Sequence, residues 1–516
     1  MRDTAQNILR QLDAAGVRVI GLATDSRSVV AGEVFLAWPG ARHDAREHIG
    51  DAIANGAAAV LWEQQGFAWK PEWQIPHVAV NGLRELAGEL AHEVYGRPSE
   101  KLWAIGVTGT NGKTSCSQWL AQACEACGAH TAVVGTLGIG FPPRLGSDSA
   151  WTFWPSPNTT PNPVLLQRSL ADLLKQGAQG VVMEVSSIGL EQGRVNGVSF
   201  GAALFTNLSR DHLDFHGDME GYARAKQKLF RMPGLRHAIL NLDDVQGVQI
   251  SRMLADSGVA RAGYSCSEGV ALRAGLEHWI EAYDITVSPQ GITFGVKSSW
   301  GEARVESHLL GRFNIANLLG VLATMLVSGV PFDRATAAIA QLQPVPGRMQ
   351  RIGGGDRPMA VVDYAHSPDA LEKTLTALKD VTRATGGRLI CLIGCGGDRD
   401  RGKRPLMGAV AARHADFMVL TSDNPRSEDP QSIIDDMLEG VSAEHNPAMQ
   451  VELDRARAIR LALGAAGSGD VVLLAGKGHE DYQEIAGRRL PFSDAREAQA
   501  ALGDWPAGLP RWEAQS

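Results

Sequence analysis

One glycine-rich segment, at residues 109–114, lies directly between an apolar run at 102–107 and a helical pattern that continues to Cys127. A strand, a glycine-rich turn and a helix form the setting of a phosphate-binding loop, since glycines let backbone N–H groups approach phosphate oxygens. Lys113 is placed to offset the charge of the β- and γ-phosphates, and the Thr114 hydroxyl is placed to bind Mg²⁺. The segment therefore predicts a site for ATP or GTP. Its residues are Gly109, Thr110, Asn111, Gly112, Lys113, Thr114 and, at the start of the helix, Ser115.

Short apolar runs alternate with helical patterns along the whole chain, which indicates an α/β fold with parallel sheets. A length of 516 residues is too great for one core and argues for two to four domains. The alternation is interrupted at Arg97-Pro98-Ser99 and again at 344–347. We therefore expect a small N-terminal α/β domain over 1–100 that binds a uridine diphosphate substrate. A central P-loop ATPase-like domain with a mainly parallel sheet should span 101–344, and a C-terminal Rossmann-like domain that binds an amino acid should span 345–516.

Charge and cysteine content narrow the possible partners and the compartment. Lys plus Arg number 49 against 57 for Asp plus Glu, a net charge of −8, and no basic block is present, which disfavours a nucleic-acid partner. Six cysteines in so long a chain indicate a reducing cytoplasm. The first residues carry charges where an export signal would be apolar, and no apolar stretch reaches about 18 residues, so we expect no membrane span. We also expect a monomer.

Ionisable side chains follow two strands of the predicted central sheet. The strand GVVMEVSS brings Glu184 and Ser186 to its carboxyl end, where ligands bind in open parallel sheets. The next strand is followed by RDHLDFH at 210–216. His212 by itself is more often a structural histidine than a ligand, but its position beside Glu184 and a phosphate loop favours a functional role. Glu184 is a candidate Mg²⁺ ligand.

Motifs along nearly the whole chain resemble those of the Mur ligase family, the ATP-dependent enzymes that add amino acids to the peptide of the cell-wall precursor. The motifs are TGTNGKT at 108–114, SPNTTP at 156–161, MEVSS at 183–187, FTNLSRDHLDFHG at 205–217, GRFNIANLLG at 311–320, PGRM at 346–349, VVDYAHSPDALE at 361–372, GCGGDRDRGKRP at 394–405, DNPR at 423–426 and GKGHEDYQ at 476–483. Among the members, the chain is most similar to those that add meso-diaminopimelate.

The resemblance implies an activity in peptidoglycan precursor synthesis. Such enzymes phosphorylate a substrate carboxylate with ATP, and the amino acid attacks the acyl phosphate. For this chain the expected reaction joins meso-2,6-diaminopimelate to the D-glutamate of UDP-N-acetylmuramoyl-L-alanyl-D-glutamate. The expected small-molecule partners are therefore ATP, the muramoyl dipeptide and diaminopimelate.

The resemblance also implies a set of catalytic and metal-binding residues. Lys113 and Arg348 would offset phosphate charge, Arg348 as the arginine that reaches the nucleotide from the third domain. Glu184 and His212 resemble ligands of a second metal, beside Thr114. Lys226 resembles the lysine that relatives carry as a CO₂-derived carbamate able to support Mg²⁺. Spacing alone would make Lys226 a solvated helix lysine.

Three further residues are expected at the nucleotide. Asn314 and Asn317 lie three apart, on one helical face, where their amides could pair with the edge of adenine. Helix capping after Gly311 explains their spacing equally well. Asp363 resembles the residue that meets the ribose, and a pair with His366 that serves only the core is the alternative.

Three strand ends in the third block carry two guanidiniums and a carboxylate, from Arg399, Arg426 and Glu480. This set suits a zwitterion, because Arg426 can bind a carboxylate with two hydrogen bonds and Glu480 can pair with an ammonium. Lysine lacks the distal carboxylate of diaminopimelate and would leave a guanidinium unpaired, so diaminopimelate is preferred. The full set expected at the amino acid is Arg399, Asp423, Asn424, Pro425, Arg426, Gly476 and Glu480.

Contacts to the muramoyl substrate come from the resemblance alone. It implies Ser26 at the uridine diphosphate, and a path for the muramoyl dipeptide lined by Asn158, Thr159, Thr160, Ser186, Gln192 and Arg194. Two departures from the family pattern are Ile188, where many relatives have His, and the segment Ala41-Arg42-His43. These contacts are therefore expected to differ locally.

The sequence disfavours four other interpretations. Cys124 and Cys127 lack a second metal-binding pair and should be thiols packed in a helix. The turn at 394–397 is an incomplete dinucleotide fingerprint, which disfavours a dehydrogenase. A folylpolyglutamate or lysine-adding ligase would share the phosphate loop but not DNPR together with Glu480, and a nucleotide switch would prefer GTP.

Overall fold

The computed structural model describes residues 4–40, 43–147, 151–445 and 447–505. Three large sheets follow one another along the chain, each with helices packed on its faces, and a separate two-stranded hairpin follows the third. This arrangement confirms the expected α/β class with three domains. Ala41 and Arg42, the first two residues of one unusual segment, lie outside the described residues, whereas His43 is exposed and its carbonyl accepts a hydrogen bond from the Gly40 N–H at 2.8 Å.

The first sheet has four parallel strands in the order β1-β2-β3-β4. Strands β2 and β3 are buried along their whole length, so both faces need cover. Helices α1 and α3 cover one face and α2 the other. The elements are β1 Leu22–Ala23, β2 Val34–Ala37, β3 Ala59–Glu63, β4 His77–Val80, α1 Ala5–Ala14, α2 Ile49–Ala54 and α3 Leu83–Val94, with 3-10 turns at Ser26–Ser28, Ala45–His48 and Pro98–Glu100.

The second sheet has ten strands in the order β14-β13-β12-β11-β10-β9-β5-β8-β6-β7. Its strands are β5 Trp103–Thr108, β6 Thr131–Gly135, β7 Gly138–Gly140, β8 Gly180–Glu184, β9 Ala202–Phe205, β10 His237–Asn241, β11 Ala260–Ser265, β12 His278–Ser288, β13 Gly291–Ser298 and β14 Gly301–Ser307. Its helices are α4 Lys113–Ala126, α5 Pro163–Lys175, α6 Ser187–Glu191, α7 Leu213–His216, α8 Met219–Gln227, α9 Val245–Met253, α10 Val270–Arg273, α11 Phe313–Val327 and α12 Phe332–Ala340, with a 3-10 turn at Lys228–Arg231.

Strands β5, β6 and β8 to β12 run parallel, which brings their carboxyl ends to one edge. Strand β5 lies in the middle of them and is buried on both faces. Ile105 and Val107 pack on the side that also holds α4 and α11, whereas Ala104 packs on the side of α5. The loop after β5 therefore opens at the centre of the sheet edge, where strand connections depart to opposite faces and ligands bind.

The third sheet has the order β15-β16-β20-β17-β18-β19 and is parallel except for β15. Strands β17, β18 and β20 are neighbours, as the expected amino-acid site requires. Its elements are β15 Gln350–Gly353, β16 Met359–Asp363, β17 Leu389–Ile393, β18 Phe417–Leu420, β19 Ala448–Val451, β20 Val471–Ala475, the hairpin β21 Tyr482–Ile485 and β22 Arg488–Pro491, α13 Pro368–Thr385, α14 Lys403–His414, α15 Pro430–Leu438, α16 Arg455–Gly464 and α17 Asp494–Gly503.

The domain limits after residues 100 and 344 stay predictions, although each falls in a connection between elements. Cys124, near the end of α4, and Cys127, directly after it, pack with the hydrophobic core of the central domain. In the ranges that the structure describes, no helix combines the length and the apolar character needed to cross a bilayer.

Candidate functional site

A cavity of about 650 Å³ opens where the edge of the central sheet faces the start of the C-terminal domain. Most of the residues expected at the nucleotide and the metal line it, from both domains. They are Thr110, Asn111, Gly112, Lys113, Thr114, Ser115, Glu184, His212, Lys226, Asn314, Asn317, Arg348 and Asp363. The cavity therefore brings together residues that are up to 253 positions apart in sequence (363 − 110).

The phosphate loop at 109–114 can be built only with glycine at two positions. Gly109 has φ +152°, and a Cβ there would lie 1.9 Å from the Thr206 hydroxyl oxygen. Gly112 has φ +88°, and a Cβ there would lie 2.5 Å from Asn317 Oδ1. The Lys113 ammonium donates to the carbonyls of Gly109 and Thr110, each at 2.8 Å. The phosphate loop therefore folds around the Lys113 side chain, which binds two of the loop's own carbonyls.

Glu184 accepts hydrogen bonds from hydroxyls on two neighbouring loops. The Thr114 hydroxyl donates to Glu184 Oε2 at 3.0 Å. Thr136 donates its backbone N–H to Glu184 Oε1 at 2.8 Å and its hydroxyl to Oε2 at 3.0 Å. Arg348 Nη2 donates to the same Thr114 hydroxyl at 3.1 Å. This chain of contacts joins the central sheet to the C-terminal domain directly at the phosphate loop.

Lys226 is buried, so the interpretation from spacing alone, a solvated helix lysine, is wrong. Its side chain is 1% exposed, and its Nζ donates to the Gly109 carbonyl at 2.8 Å and lies 4.4 Å from the centre of the Tyr222 ring. Burial, with the nearby Lys113 charge, holds the pKa of Lys226 well below its usual value. The spacing signal failed because α8 is short and its burial is decided by tertiary packing.

His212 lies at the mouth of the cavity rather than deep in it. It has φ +52° and begins α7, and its side chain is 44% exposed. Burial of the ring lowers the pKa of His212, although the Asp211 carboxylate, 3.5 Å away, acts in the opposite direction. The imidazole is therefore neutral near pH 7, the form in which a histidine binds metal.

The oxygen ligands at the phosphate loop suit a hard cation, although they do not surround it completely. A hydroxyl and a carboxylate oxygen, from Thr114 and Glu184, lie 3.0 Å apart, and oxygen is the ligand type that Mg²⁺ prefers. Over the described residues, no group of three His, Cys, Asp and Glu side chains is positioned to hold a metal ion. Two protein oxygens are consistent with a Mg²⁺ that takes its other ligands from phosphates and water.

The asparagine pair and Asp363 lie where the nucleotide was expected. Asn317 donates to Asn314 Oδ1 at 3.0 Å, and Asn314 donates to the Leu310 carbonyl at 2.8 Å. Asn317 lies beside Gly112 of the phosphate loop. Pairing of the Asn314 and Asn317 amides with the edge of adenine stays a prediction. Asp363 accepts from the Met349 N–H at 2.7 Å, and burial raises the pKa of its carboxyl.

A second cluster of charged side chains lies at the carboxyl ends of β18 and β20. The Asn424 amide donates to Glu480 Oε2 at 2.8 Å, and Lys477 donates to the same oxygen at 3.1 Å. Lys477 is fully buried and also lies 3.6 Å from Asp423. A Cβ on Gly476 would lie 2.8 Å from Asp423 Oδ2, so only glycine fits this turn without a shift.

Arg426 and Arg399 flank the glycine turn after β17. A Cβ on Gly396 would lie 2.9 Å from Arg426 Nη1 and 3.7 Å from the Arg399 side chain. Arg426 donates to the Gly397 carbonyl at 2.6 Å and lies 3.7 Å from Glu484, and Arg399 is exposed. Pro425 precedes Arg426 and contacts Gly397 through its backbone. The side chains that follow β17 and β18 therefore reach the same turn, and their joint binding of an amino acid stays a prediction.

The cavity at the phosphate loop and the second cluster of charged side chains adjoin each other through backbone contacts. A Cβ on Gly347 would lie 2.1 Å from the His479 nitrogen, and a Cβ on Gly478 would lie 2.7 Å from Tyr364 Cβ. Tyr364 lines the cavity, and the Arg348 guanidinium lies 4.3 Å from the centre of its ring. The loop that carries Lys477 and Glu480 is therefore in direct contact with the wall of the phosphate cavity.

The residues expected along the muramoyl path form a connected network, with one exception. Thr160 Oγ1 donates to the Glu184 carbonyl at 2.8 Å and lies 3.1 Å from the Ser186 hydroxyl. Arg194 donates to the Thr160 carbonyl and to Gln192, and Thr159 lies 3.1 Å from Thr136. The exception is Asn158, which is exposed. Ser26, which was expected at the uridine diphosphate, is buried in the N-terminal domain. Ile188 lies within α6, directly after the Ser186–Ser187 pair.

Three residues that contact these groups were not predicted. Thr136 follows β6 and holds Glu184, Lys477 holds Glu480, and Asp369 accepts a hydrogen bond from Asn111 of the phosphate loop. Lys477 and Asp369 lie inside sequence motifs quoted above, and those motifs could have identified them. Thr136 lies in no such motif, so no sequence signal pointed to it.

Family models match three consecutive parts of the chain. The Mur ligase family catalytic domain matches residues 18–95, the Mur ligase middle domain matches 107–325, and the Mur ligase glutamate ligase domain matches 347–478.

Individual relatives match nearly the full length. UDP-N-acetylmuramoyl-L-alanyl-D-glutamate--2,6-diaminopimelate ligases from Chromobacterium violaceum and Nitrosomonas europaea are 50% and 48% identical, over 96% of this chain and 96% and 95% of theirs. A solved structure of a UDP-N-acetylmuramoyl-L-alanyl-D-glutamate--2,6-diaminopimelate ligase has a TM-score of 0.66 at 38% identity, over 94% of this chain and 95% of that one. The chain belongs to the Mur ligase family.

Proposed function

We propose that the chain is an ATP-dependent ligase that joins meso-2,6-diaminopimelate to the D-glutamate of UDP-N-acetylmuramoyl-L-alanyl-D-glutamate, a step of peptidoglycan precursor synthesis. The observation that carries the proposal is the meeting of Lys113, Thr114 and Arg348 in one cavity built by two domains. Likeness to diaminopimelate-adding relatives over nearly the whole chain supports the choice of substrates.

The first step transfers the γ-phosphoryl group of ATP to the substrate carboxylate. A carboxylate oxygen attacks phosphorus, the bond to the β-bridging oxygen breaks, and ADP leaves. Every reacting group is anionic, so the cations Lys113 and Arg348 lower the barrier. Lys113 must exchange the carbonyls of Gly109 and Thr110 for phosphate oxygens, which the flexible lysine stem allows.

The second step forms the amide bond. The free amine of the amino acid attacks the acyl carbon, a tetrahedral intermediate forms, and inorganic phosphate leaves as the amine loses its proton. Thr114 and Glu184 are the residues that would hold Mg²⁺, which supplies further positive charge to the phosphates.

Selection of the amino acid falls to the second cluster. Arg426 binds the distal carboxylate, with Arg399 beside it, and Glu480 pairs with the distal ammonium. Lys477 and Asn424 both hold one oxygen of Glu480, which orients the carboxylate before the ligand binds. Lysine has no distal carboxylate to pair with Arg426, and the loss of that pair gives the preference for diaminopimelate.

Lys226 is proposed to carry a carbamate. Its amine is buried and its pKa is lowered, so the neutral form that attacks CO₂ is available. The nitrogen of the neutral amine bonds to the CO₂ carbon and releases one proton, which converts a buried neutral group beside Lys113 into an anion. Carbon-13 NMR of protein incubated with ¹³C-bicarbonate tests this: a carbamate signal that is absent in Lys226→Ala is expected, and its absence from the unmodified chain would contradict it.

The compartment and the muramoyl contacts are proposals of the same kind. Six free thiols, most of them buried, support a reducing cytoplasm. The network around Thr160 and Ser186 supports a muramoyl path beside Glu184, with Ser26 and the N-terminal domain at the uridine diphosphate.

Leaving out one substrate at a time tests the function. Sustained ADP formation should require ATP, the muramoyl dipeptide and diaminopimelate together, and the product should have the mass of the tripeptide. Lys113→Ala should lower the rate by about 100-fold to 1,000-fold. Lys175→Ala, at a side chain that is 76% exposed, is the matched control and should not change it. Continuous ADP release over many turnovers without the amino acid would contradict the proposal.

A further inference from the structure

Asp369 accepts three hydrogen bonds on one oxygen, two of them from the central domain. Asn111 Nδ2 donates to Asp369 Oδ2 at 2.9 Å, and the Ser209 hydroxyl donates to it at 2.7 Å. Lys373, one turn further along the same helix, donates at 2.9 Å. The Asp369 side chain is 30% exposed, so its carboxylate is partly shielded from water.

The two central-domain donors belong to loops that are tied to each other. The Asn111 backbone is clamped by the loop after β9, with its N–H donating to Asn207 and its carbonyl accepting from Thr206 at 2.6 Å. Ser209, in that same loop, donates its N–H to the Thr110 hydroxyl at 2.9 Å. The loop continues to His212. Asp369 therefore touches both the phosphate loop and the segment that leads to the candidate metal ligand.

On the C-terminal side, Asp369 is rigidly placed. It lies in the first turn of α13, which is capped by the Ser367 hydroxyl and continues for 18 residues. Helix α13 follows β16 by the loop that holds Tyr364, against which Arg348 packs. A movement of the C-terminal domain away from the central sheet would break both contacts of Asp369 together.

We propose that Asp369 is a positioning residue that couples closure of the C-terminal domain to the conformation of the phosphate loop. It does not touch the reacting atoms in this role. Its two contacts stabilise the closed arrangement, in which the amino acid on the C-terminal domain can reach the acyl phosphate on the central domain. The kinetic part of this inference rests on the proposed function, whereas the conformational part does not.

Small-angle X-ray scattering tests the conformational part without turnover. Asp369→Ala should give a larger radius of gyration than the unmodified chain, both alone and with AMP-PNP and Mg²⁺. Ser209→Ala should shift it in the same direction, and it leaves α13 unchanged. Asp435→Ala, which removes the same charge from the surface of α15, is the matched control. Identical scattering of Asp369→Ala and the unmodified chain would overturn the proposal.

Kinetics separate a positioning role from a purely structural one. Asp369→Ala should lower kcat/KM for diaminopimelate about tenfold or more, since it removes hydrogen bonds to a charged group. The affinity for a fluorescent ADP should hold, and Asp369→Asn, which keeps one acceptor oxygen, should lose less. The double variant with Ser209→Ala should be no worse than Asp369→Ala alone.

The remaining outcomes distinguish a failure of the coupling role from a failure of the proposed function. Additive losses in the double variant, or an equal loss of ADP affinity, would overturn the coupling role. An unmodified chain that forms no product would overturn the proposed function, and the scattering result would still decide on Asp369.

Discussion

The position of each side chain in this site depends more on contacts with neighbouring loops than on the helix or strand that carries it. Glu184 is held by hydroxyls from two loops, and Glu480 by Lys477 and Asn424. Arg426 has φ +53°, an uncommon conformation for a residue other than glycine, at the point where its guanidinium meets the Gly397 carbonyl. Such residues are fixed before a ligand arrives, which favours selective binding.

Replacement of Arg426 by alanine should separate amino-acid binding from nucleotide binding. Loss of the guanidinium leaves the distal carboxylate of diaminopimelate unpaired, so kcat/KM for diaminopimelate should fall by about 100-fold to 1,000-fold. The affinity for ATP should stay unchanged, because Arg426 lies outside the nucleotide cavity. Arg457→Ala, at a guanidinium that is 70% exposed in the same domain, is the control. Equal losses for both ligands would rule out the assigned role.

Residue identity revealed some of these positions and not others. The glycines and Lys113 of the phosphate loop were predictable, because the chemistry of phosphate binding dictates them locally. Lys226 was not predictable from spacing, since a lysine on a short helix is buried only by what packs on it. Thr136 was equally hidden, because a threonine after a strand is common and its partner Glu184 is 48 positions away.

At the scale of elements, the site depends on sharp turns at the carboxyl ends of parallel strands. The turn after β5 uses Gly109 with φ +152° and Gly112 with φ +88°, and the turn after β20 uses Gly476 with φ +109°. At Gly109 the backbone bends directly against the Thr206 side chain, and at Gly476 it bends against the Asp423 side chain. The close approach, and not flexibility, is what requires glycine.

Gly109→Ala should therefore prevent nucleotide binding and destabilise the central domain. The added Cβ would lie 1.9 Å from Thr206 Oγ1, so the loop or β9 must move. Gly128→Ala is a matched control, because Gly128 also has a positive φ of +94° but no atom within 4 Å of an added Cβ. Calorimetric titration with ATP should show binding for Gly128→Ala and none for Gly109→Ala. Normal binding by Gly109→Ala would refute the loop geometry.

Helices α16 and α17 are joined by one buried and one exposed ion pair. Arg455 and Asp494 are both fully buried and 2.7 Å apart, and Arg455 also donates to the Ala475 carbonyl at the end of β20. Arg455→Ala should cost about 3–5 kcal/mol, because it leaves Asp494 buried without its partner. Arg460→Ala, in the exposed pair with Glu497, should change stability by less than about 1 kcal/mol. Urea unfolding of the two variants measures the difference, and equal effects would contradict it.

For the whole molecule, the sequence predicted the three-domain α/β class and the order of the sites, since alternation and motifs are local signals. It could not predict how the domains approach one another. The contacts of Arg348 with Thr114 and of Asp369 with Asn111 join positions 234 and 258 apart, and no local pattern encodes such distances. The arrangement of domains decides whether the phosphate and the amino acid can meet.

Choice among amino acids tests the central claim most directly, because it requires both clusters to act on one reaction. The measurement is kcat/KM for ADP formation with ATP, UDP-N-acetylmuramoyl-L-alanyl-D-glutamate and either meso-diaminopimelate, L-lysine or L-glutamate. We expect meso-diaminopimelate to exceed the other two by at least about 1,000-fold, with the tripeptide confirmed by its mass. Equal use of lysine, or ADP formation that does not depend on any amino acid, would contradict the account.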